Sequence, residues 1–331
     1  MKQTSTKVAE TSKKNHSAKN QFFSHIIDEL SKTIVGMEDI TNQILIAFLT
    51  KGHVLLEGLP GLAKTMLIKT FAELSGLEFK RIQFTPDLLP GDILGTQIFD
   101  QRTSAFITRK GPLFSNIVLA DEINRAPSKV QSALLEAMQE KQITIAEKTY
   151  HLKPPYLVLA TQNPIEQEGT YPLPEAQIDR FMLKVTVTYP SKDEEAKIIK
   201  YHMNTPKINF APILSAAKIK KCQEQVENIY IDDRLIRYIV ELVSASRNPE
   251  QYGMKKNLIN FGASPRASID LARAAKATAF LNNEKYVKTD DIKQVVHPVL
   301  RHRILTSYEA DAENITPDML IDDLLSRVKV P

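Results

Sequence analysis

Short apolar runs that end in polar residues recur along the first half of the chain and predict buried β-strands. The runs lie at residues 54–57, 78–83, 116–120, 156–161 and 182–187. Segments with helical spacing connect most of them. Because alternation of strands with helices is typical of a parallel sheet covered on both faces, we predict a doubly wound α/β fold that ends near Pro190.

Two β-hairpins are predicted between these runs. The first pairs residues 96–99 with residues 106–109 around a polar tip at 100–104. The second pairs residues 143–145 with residues 149–152. The first hairpin is not needed to complete a sheet, so it is expected to be a surface elaboration or a device that reaches a partner.

Helical periodicity without strand patterns continues from residue 191 to the end of the chain. The predicted helices lie at 192–201, 214–226, 233–247, 266–281 and 289–300, and a last helix begins at Thr316, Pro317 and Asp318. Two further helices, 21–32 and 37–51, precede the first strand.

The chain is therefore expected to have three parts. Residues 1–20 are polar and rich in lysine and threonine, and we interpret them as a disordered basic tail. Residues 21–190 would form the α/β core, and residues 191–331 would form a separate helical domain.

Composition places the chain among ordinary globular proteins, with 43% hydrophobic and 25% charged residues in a length of 331. Its single cysteine, Cys222, excludes an internal disulfide and a cysteine metal cluster. No apolar run is long enough to span a bilayer and the N-terminus lacks a signal-peptide pattern, so we expect a cytoplasmic location.

The formal charge of +4 arises in the tail. When the five lysines and one glutamate of residues 1–20 are removed from 43 basic and 39 acidic residues, 38 of each sign remain. The folded part is thus neutral, and its charge gives no argument for a nucleic-acid partner.

The apolar run at 54–57 leads into a glycine-containing loop and then a helix, which predicts a phosphate-binding loop. The loop comprises Gly58, Leu59, Pro60, Gly61, Leu62, Ala63, Lys64 and Thr65. Its backbone N–H groups would bind phosphates, Lys64 would contact the β- and γ-phosphates, and Thr65 would bind Mg²⁺. Ala63 replaces the usual second glycine, and because alanine tolerates a helix start but not a positive φ, it is expected to fit if that position is already helical. Taken alone, the stretch could also be a plain turn.

Polar side chains follow two further strand runs. Asp121 and Glu122 come directly after residues 116–120, and Asn163 follows residues 156–161. Asp121 would hold the magnesium water shell, Glu122 would be the general base, and Asn163 would orient water or contact the γ-phosphate. A strand end and a routine turn are the alternatives. Because these strand ends would meet at one edge of the sheet, the first interpretation is favoured.

Four other residues are candidates. Val35 and Gly36 form a turn between the first two helices that could touch a base or ribose, although a bare connector explains them equally well. Arg180 ends a short helix within residues 172–181. Arg266 lies in the first turn of a helix, where it would face either an anion such as ATP or solvent.

Together these motifs resemble those of the AAA+ ATPases and, within them, the MoxR family. The resemblance rests on LEGLPGLAKT (56–65), ADEINRA (120–126), ATQNP (160–164), LPEAQIDRF (173–181) and SPR (264–266). Five motifs in the family's order make it specific, and it covers nearly all of the chain after the tail. Alanine at position 63 is itself typical of that family's loop.

The resemblance implies roles that spacing alone does not establish. Asn163 would be the first sensor, Arg180 an arginine finger for a neighbouring subunit's ATP, and Arg266 the second sensor on the helical lid. The two hairpins would be the helix-2 insert and the pre-sensor hairpin. Because a finger requires a neighbour, the resemblance also implies a ring, as a hexamer.

The function implied is Mg²⁺-dependent ATP hydrolysis that drives chaperone-like remodelling, maturation or metal insertion of protein partners, among them proteins with von Willebrand A domains. Two alternatives stay open. One is a nucleic-acid remodeller, because basic residues such as Arg102 and Arg109 lie on the first hairpin. The other is a nucleotide-gated scaffold without useful turnover, against which the set of Asp121, Glu122, Asn163 and Arg180 argues.

Overall fold

The computed structural model describes residues 21–59, 61–164, 169–203, 210–255 and 257–331. The strands are β1 (Val54–Gly58), β2 (Phe79–Gln83), β3 (Gly95–Asp100), β4 (Ala105–Lys110), β5 (Ile117–Asp121), β6 (Gln142–Ile145), β7 (Lys148–His151), β8 (Leu157–Gln162), β9 (Leu183–Val187), β10 (Ile259–Phe261) and β11 (Leu305–Thr306). The predicted tail, residues 1–20, lies outside the described residues, as does Pro60 of the loop.

The α-helices cover both the segments between strands and most of the second half of the chain. They are α1 (Gln21–Ser31), α2 (Glu38–Leu49), α3 (Lys64–Ser75), α4 (Pro90–Leu94), α5 (Ser128–Glu140), α6 (Glu175–Ile178), α7 (Lys192–Met203), α8 (Ala216–Glu227), α9 (Asp233–Arg247), α10 (Pro265–Leu281), α11 (Thr289–Leu300), α12 (Tyr308–Ala312) and α13 (Pro317–Arg327).

The predicted parallel sheet is confirmed. Its strands lie in the order β2, β5, β8, β1 and β9, and every neighbouring pair is parallel. Val54 of β1, for example, is opposite Leu159 of β8 and Leu183 of β9. This order brings the carboxyl ends of β5, β8 and β1 side by side, at the edge where open α/β sheets bind ligands.

The sheet separates two hydrophobic layers because successive side chains of a strand point to opposite faces. Val54 and Leu56 pack in one layer with Phe71 of α3, and Leu55 packs in the other with Leu134 of α5. All five side chains are almost completely buried. Burial on both faces explains why these strands appear in the sequence as continuous apolar runs.

Both predicted hairpins are present, as β3–β4 and β6–β7. In the first, Ile98 is opposite Ile107 and Phe99 is opposite Phe106. The two phenylalanine rings contact each other edge to face, with centroids 5.3 Å apart. All four side chains are exposed, so this hairpin presents an apolar surface away from the core.

The chain from α7 onward is mainly helical, as predicted. Helices α9 and α11 have the predicted ends, and α9 begins where the Asp232 carboxylate accepts the N–H of Arg234. The antiparallel pair β10–β11 was not predicted, because strands of three and two residues are too short to show a periodic pattern. None of the described helices combines the length and apolarity that crossing a membrane requires.

A buried histidine precedes β1 and ties the sheet to α5. His53 Nδ1 accepts the backbone N–H of Val158 at 3.0 Å, so the neutral ring donates its Nε2–H to the carbonyl of Met138 at 3.2 Å. Burial lowers the pKa of His53 to about 4, and Lys141 acts in the same direction. Protonation would remove the acceptor that Val158 uses.

The stability of the chain should therefore fall on acidification between pH 6.5 and pH 4. His53 has a pKa near 6.5 in the unfolded chain and of about 4 in the folded chain. Between these values protonation favours the unfolded chain, and it reduces the free energy of unfolding by about 3 kcal/mol. Urea unfolding at pH 7.5 and pH 4 measures this change.

The matched variants are His53→Gln and His25→Gln, since His25 is an exposed histidine on α1. The slope of stability against pH should be shallower only for His53→Gln. Equal slopes for all three proteins would contradict the assignment. Burial also lowers the pKa of His302, and this contributes equally to the pH dependence of stability in the wild-type protein and both variants.

Candidate nucleotide-binding site

The predicted phosphate-binding loop connects β1 to α3, with Gly58 ending the strand and Lys64 beginning the helix. The expectation that Ala63 avoids a positive φ was wrong. Ala63 is the residue before the helix and has a left-handed backbone, with φ 52° and ψ 17°. Within a few residues the chain must turn from strand into helix, and Ala63 makes that turn at a cost of about 1 kcal/mol relative to glycine.

Lys64 lies at the centre of this loop. Its ammonium donates to the Gly58 carbonyl at 2.6 Å, which holds the side chain across the loop. Burial lowers its pKa, while the charges of Asp121 and Glu122 act in the opposite direction. The lysine is thus partly desolvated and faces both predicted carboxylates.

Asp121 and Glu122 lie where they were expected, at the carboxyl end of β5. The Thr161 hydroxyl, from β8, donates to Asp121 Oδ1 at 2.5 Å and accepts the backbone N–H of Glu122 at 2.8 Å. Glu122 has a left-handed backbone with φ 56°, a conformation that costs a non-glycine residue energy and turns its side chain out of the strand.

Arg81 and Gln83, which hold these carboxylates, were not among the predicted site residues. Arg81 donates to Asp121 Oδ2 at 2.7 Å and 2.9 Å. Glu122 Oε2 accepts from Gln83 at 2.8 Å and from Arg125 at 2.9 Å. Positions 81 and 83 lie on the same face of β2, the strand that pairs with β5. Two polar residues two positions apart near the end of a strand were the signal in the sequence that could have identified them.

One cavity of about 410 Å³ joins the loop to these strand ends. It is lined by Gly58, Gly61, Leu62, Ala63, Lys64, Thr65, Met66, Arg81, Asp121, Glu122, Thr161 and Asn163. Asn163 is buried just beyond β8, as predicted. Leu59 is half-buried and lines neither this cavity nor the next one.

A second cavity, of about 230 Å³, meets the first at the loop. Val35 and Gly36 line it, together with apolar and aromatic side chains that include Met37, Tyr189 and Tyr201. Gly36 has φ 80°, and a β-carbon there would lie 2.8 Å from the carboxyl group of Glu194. A mainly apolar cavity beside a phosphate-binding loop suits a nucleotide base.

Arg180 and Arg266 lie outside both cavities. Arg180 lines a separate surface cavity with Glu136 and Glu140 of α5. Arg266 contacts Asp179, with 3.3 Å between NH1 and Oδ2. The structure therefore groups the loop, the carboxylates and Asn163 in one place, and puts the two predicted arginines elsewhere.

Two protein-family models match the chain. The model of the ATPase family associated with various cellular activities (AAA) matches residues 53–183, and the model of the AAA lid domain matches residues 253–324. A crystal structure of a Cytophaga hutchinsonii protein assigned as an ATPase has a TM-score of 0.89 and 47% identity, over 98% of this chain and 99% of that one.

Two relatives are also similar over most of their length. Chaperone MoxR1 of Mycobacterium tuberculosis is 48% identical over 92% of this chain and 81% of its own. Protein MoxR of Paracoccus denitrificans is 31% identical over 91% of this chain and 94% of its own. The chain belongs to the MoxR family of AAA+ ATPases.

Proposed function

We propose that this chain hydrolyses ATP with Mg²⁺ and uses the energy to remodel a protein partner. The observation that carries the proposal is the 410 Å³ cavity, which gathers a lysine, a hydroxyl, two carboxylates and an amide at one sheet edge. Phosphoryl transfer needs these groups because its barrier is lowered mainly by positioning and by charge stabilisation.

Each group has a distinct part in the proposal. Loop N–H groups and Lys64 bind the phosphates, and the mainly apolar cavity at Val35 and Gly36 takes the base. Hydroxyl and carboxylate oxygens are the donors that Mg²⁺ prefers, so Thr65 and Asp121 fit as its ligands. When bound, the ion would neutralise charge on the phosphates.

The proton of the attacking water goes to Glu122. This carboxylate lies in the cavity opposite the loop, and the Gln83 and Arg125 contacts restrict its orientation. Asn163, beside it, orients the same water or the γ-phosphate. Arg81 holds Asp121 in place from the neighbouring strand.

The finger arginine acts in trans in this proposal. Arg180 lines a surface cavity that shares no residue with the nucleotide cavity, and in this proposal an adjacent subunit receives it. A head-to-tail contact of this kind closes into a ring, for which we propose a hexamer. Arg266, on the lid, would be the second sensor.

The client is proposed to be a protein, for example one with a von Willebrand A domain. The relative in Mycobacterium tuberculosis is called a chaperone. The exposed Phe99 and Phe106 on the first hairpin would give an apolar contact to a polypeptide.

The same hairpin supports a second candidate, remodelling of single-stranded nucleic acid. Arg102 and Arg109 flank the exposed phenylalanines, and basic residues beside aromatic rings suit stacked bases. Salt-dependent DNA binding by a chain that lacks residues 1–20 would favour this candidate, and its absence would favour a protein client.

Replacing Lys64 by Ala tests the assignment of the loop. The variant should bind ATP about 10- to 100-fold more weakly, because a charge-assisted hydrogen bond is worth about 1.5–3 kcal/mol. Titration with a fluorescent ATP analogue in Mg²⁺ and in EDTA measures this affinity. Lys69→Ala, an exposed lysine of α3, is the control and should bind normally. Unchanged affinity of Lys64→Ala would remove ATP from the proposal.

A further inference from the structure

A buried arginine joins the helical lid to the loop that carries Arg180. Arg303 follows α11, and its side chain is 1% exposed. Its Nε donates to Asp179 Oδ1 at 2.7 Å, and its NH2 donates to Asp270 Oδ2 at 2.7 Å. Asp179 directly precedes Arg180, whereas Asp270 belongs to α10.

The same guanidinium also binds the backbone on both sides of Arg180. Its NH2 donates to the carbonyl of Asp179 at 3.1 Å and to the carbonyl of Phe181 at 3.0 Å. His302 Nε2 lies 2.9 Å from that second carbonyl. The peptide units around Arg180 are therefore fixed to the lid at several points.

The Arg180 side chain is left available by this arrangement. Within the described ranges, no hydrogen bond or ion pair to its guanidinium is formed, and the residue is half-buried beside the surface cavity on α5. A fixed backbone with an uncommitted side chain is what a group needs if it is to contact another molecule in a defined geometry.

Stability alone does not account for this cluster. Removing an arginine and two carboxylates from water costs several kcal/mol, and apolar residues of similar volume are often as stable. The cost is visible at Asp270, where burial raises the pKa although Arg303 opposes the shift. Such a cluster is better explained by the single geometry that it imposes.

The second oxygen of Asp179 extends the connection to the start of α10. Asp179 Oδ2 accepts from the Ser264 hydroxyl at 3.2 Å and from Arg266 NH1 at 3.3 Å. The Arg266 side chain is 43% exposed, so this ion pair contributes little and can exchange. Asp179 thus has three side-chain partners on the lid: the buried Arg303, the Ser264 hydroxyl, and the exposed Arg266, which can exchange.

We propose that Arg303, acting through Asp179, positions Arg180 for the nucleotide site of the adjacent subunit, so that each finger follows the lid of its own subunit. The inference rests on the proposed function, in which Arg180 acts in trans. Arg303 and Asp179 are positioning residues: they do not touch the nucleotide.

The variant Asp179→Asn tests the inference. Asparagine keeps the shape of the side chain but not the charge that pairs with Arg303, so the finger loses its fixed position. The kcat for ATP should fall about 10- to 100-fold, as small misplacements of a catalytic group do, while the KM for ATP stays unchanged. The matched control is Asp318→Asn, which breaks the ion pair between Asp318 of α13 and Arg301. This variant should keep the wild-type kcat.

Mixed rings separate positioning from a general structural defect. Asp179→Asn subunits have intact nucleotide sites, and Glu122→Gln subunits have intact fingers. In a 1:1 mixture about a quarter of the junctions between subunits join an intact finger, from a Glu122→Gln subunit, to an intact nucleotide site, from an Asp179→Asn subunit. Phosphate release should therefore rise well above that of either variant alone. A folding defect or a defect within the variant's own site would not be rescued.

A mixture of Arg180→Ala with Glu122→Gln is the reference. If the reference recovers activity and the Asp179→Asn mixture does not, the inference is overturned and the proposed function stands. If the reference itself fails to recover, the trans finger is wrong and the inference falls with it. Wild-type kcat for Asp179→Asn also overturns the inference.

A second variant covers the case in which Asp179→Asn does not fold. Asp179→Glu keeps the charge that Arg303 needs but lengthens the side chain by one methylene, which displaces the loop. It should show a smaller loss of kcat and the same recovery on mixing with Glu122→Gln. A loss of kcat without recovery on mixing would contradict the inference.

Discussion

The Glu122→Gln variant should bind ATP with wild-type affinity and release phosphate about 10²- to 10⁴-fold more slowly, the usual contribution of a general base. Glutamine has the same shape but cannot take a proton from water. Its amide oxygen can still accept from Gln83 or Arg125, the present partners of Glu122, so the geometry of the cavity is kept.

Single-turnover phosphate release measures the rate of hydrolysis, and equilibrium titration with ATP measures the affinity, so the two predicted effects are observed separately. Glu313→Gln is a suitable control because Glu313 is an exposed carboxylate that pairs with Lys255, far along the chain in the lid. Undiminished phosphate release from pure Glu122→Gln protein would remove Glu122 from the mechanism. A variant that holds ATP without turnover would also retain its client, which makes it the reagent for identifying that client.

The Arg180→Ala variant should lower kcat about 10³- to 10⁵-fold, which is the contribution of an arginine finger in phosphoryl transfer. ATP binding should stay intact, because Arg180 does not line the nucleotide cavity. In the proposed function the charge of Arg180 would stabilise the transition state more than the ground state, so we expect the effect in kcat.

Ring assembly must be checked in the same preparation, by light scattering with ATP present. Arg234→Ala removes an exposed arginine that pairs only weakly with Asp232 and serves as the control. Turnover by Arg180→Ala at the wild-type rate would contradict the trans site. The trans site would also be contradicted if the turnover per subunit of the wild-type protein did not rise with protein concentration, as subunits assemble.

Local patterns in the sequence predicted much of the fold. The central strands are apolar because both faces are buried, and α9 and α11 carry full helical periodicity over 15 and 12 residues. The same patterns placed Asp121, Glu122 and Asn163 together, because the ends of parallel strands meet at one edge. The boundaries at residues 20 and 190 stay predictions.

Contacts between distant residues could not be predicted in this way. Arg303 and Asp179 are separated by 124 positions, and nothing local marks either as a partner of the other. The left-handed backbone of Ala63 was missed for a different reason. It is imposed by the geometry of the loop and opposes the intrinsic preference of alanine, so propensity predicts the opposite conformation.

Two of the residues that hold the carboxylates lie at the edge of the sheet. β2 is an edge strand with one neighbour, β5, and it carries Arg81 and Gln83. Edge elements separate from a fold at lower free energy than central ones. Arg81 and Gln83 can therefore detach from the two carboxylates by local opening of one strand, while β5, β8 and β1 keep the acids, Thr161 and the loop in place.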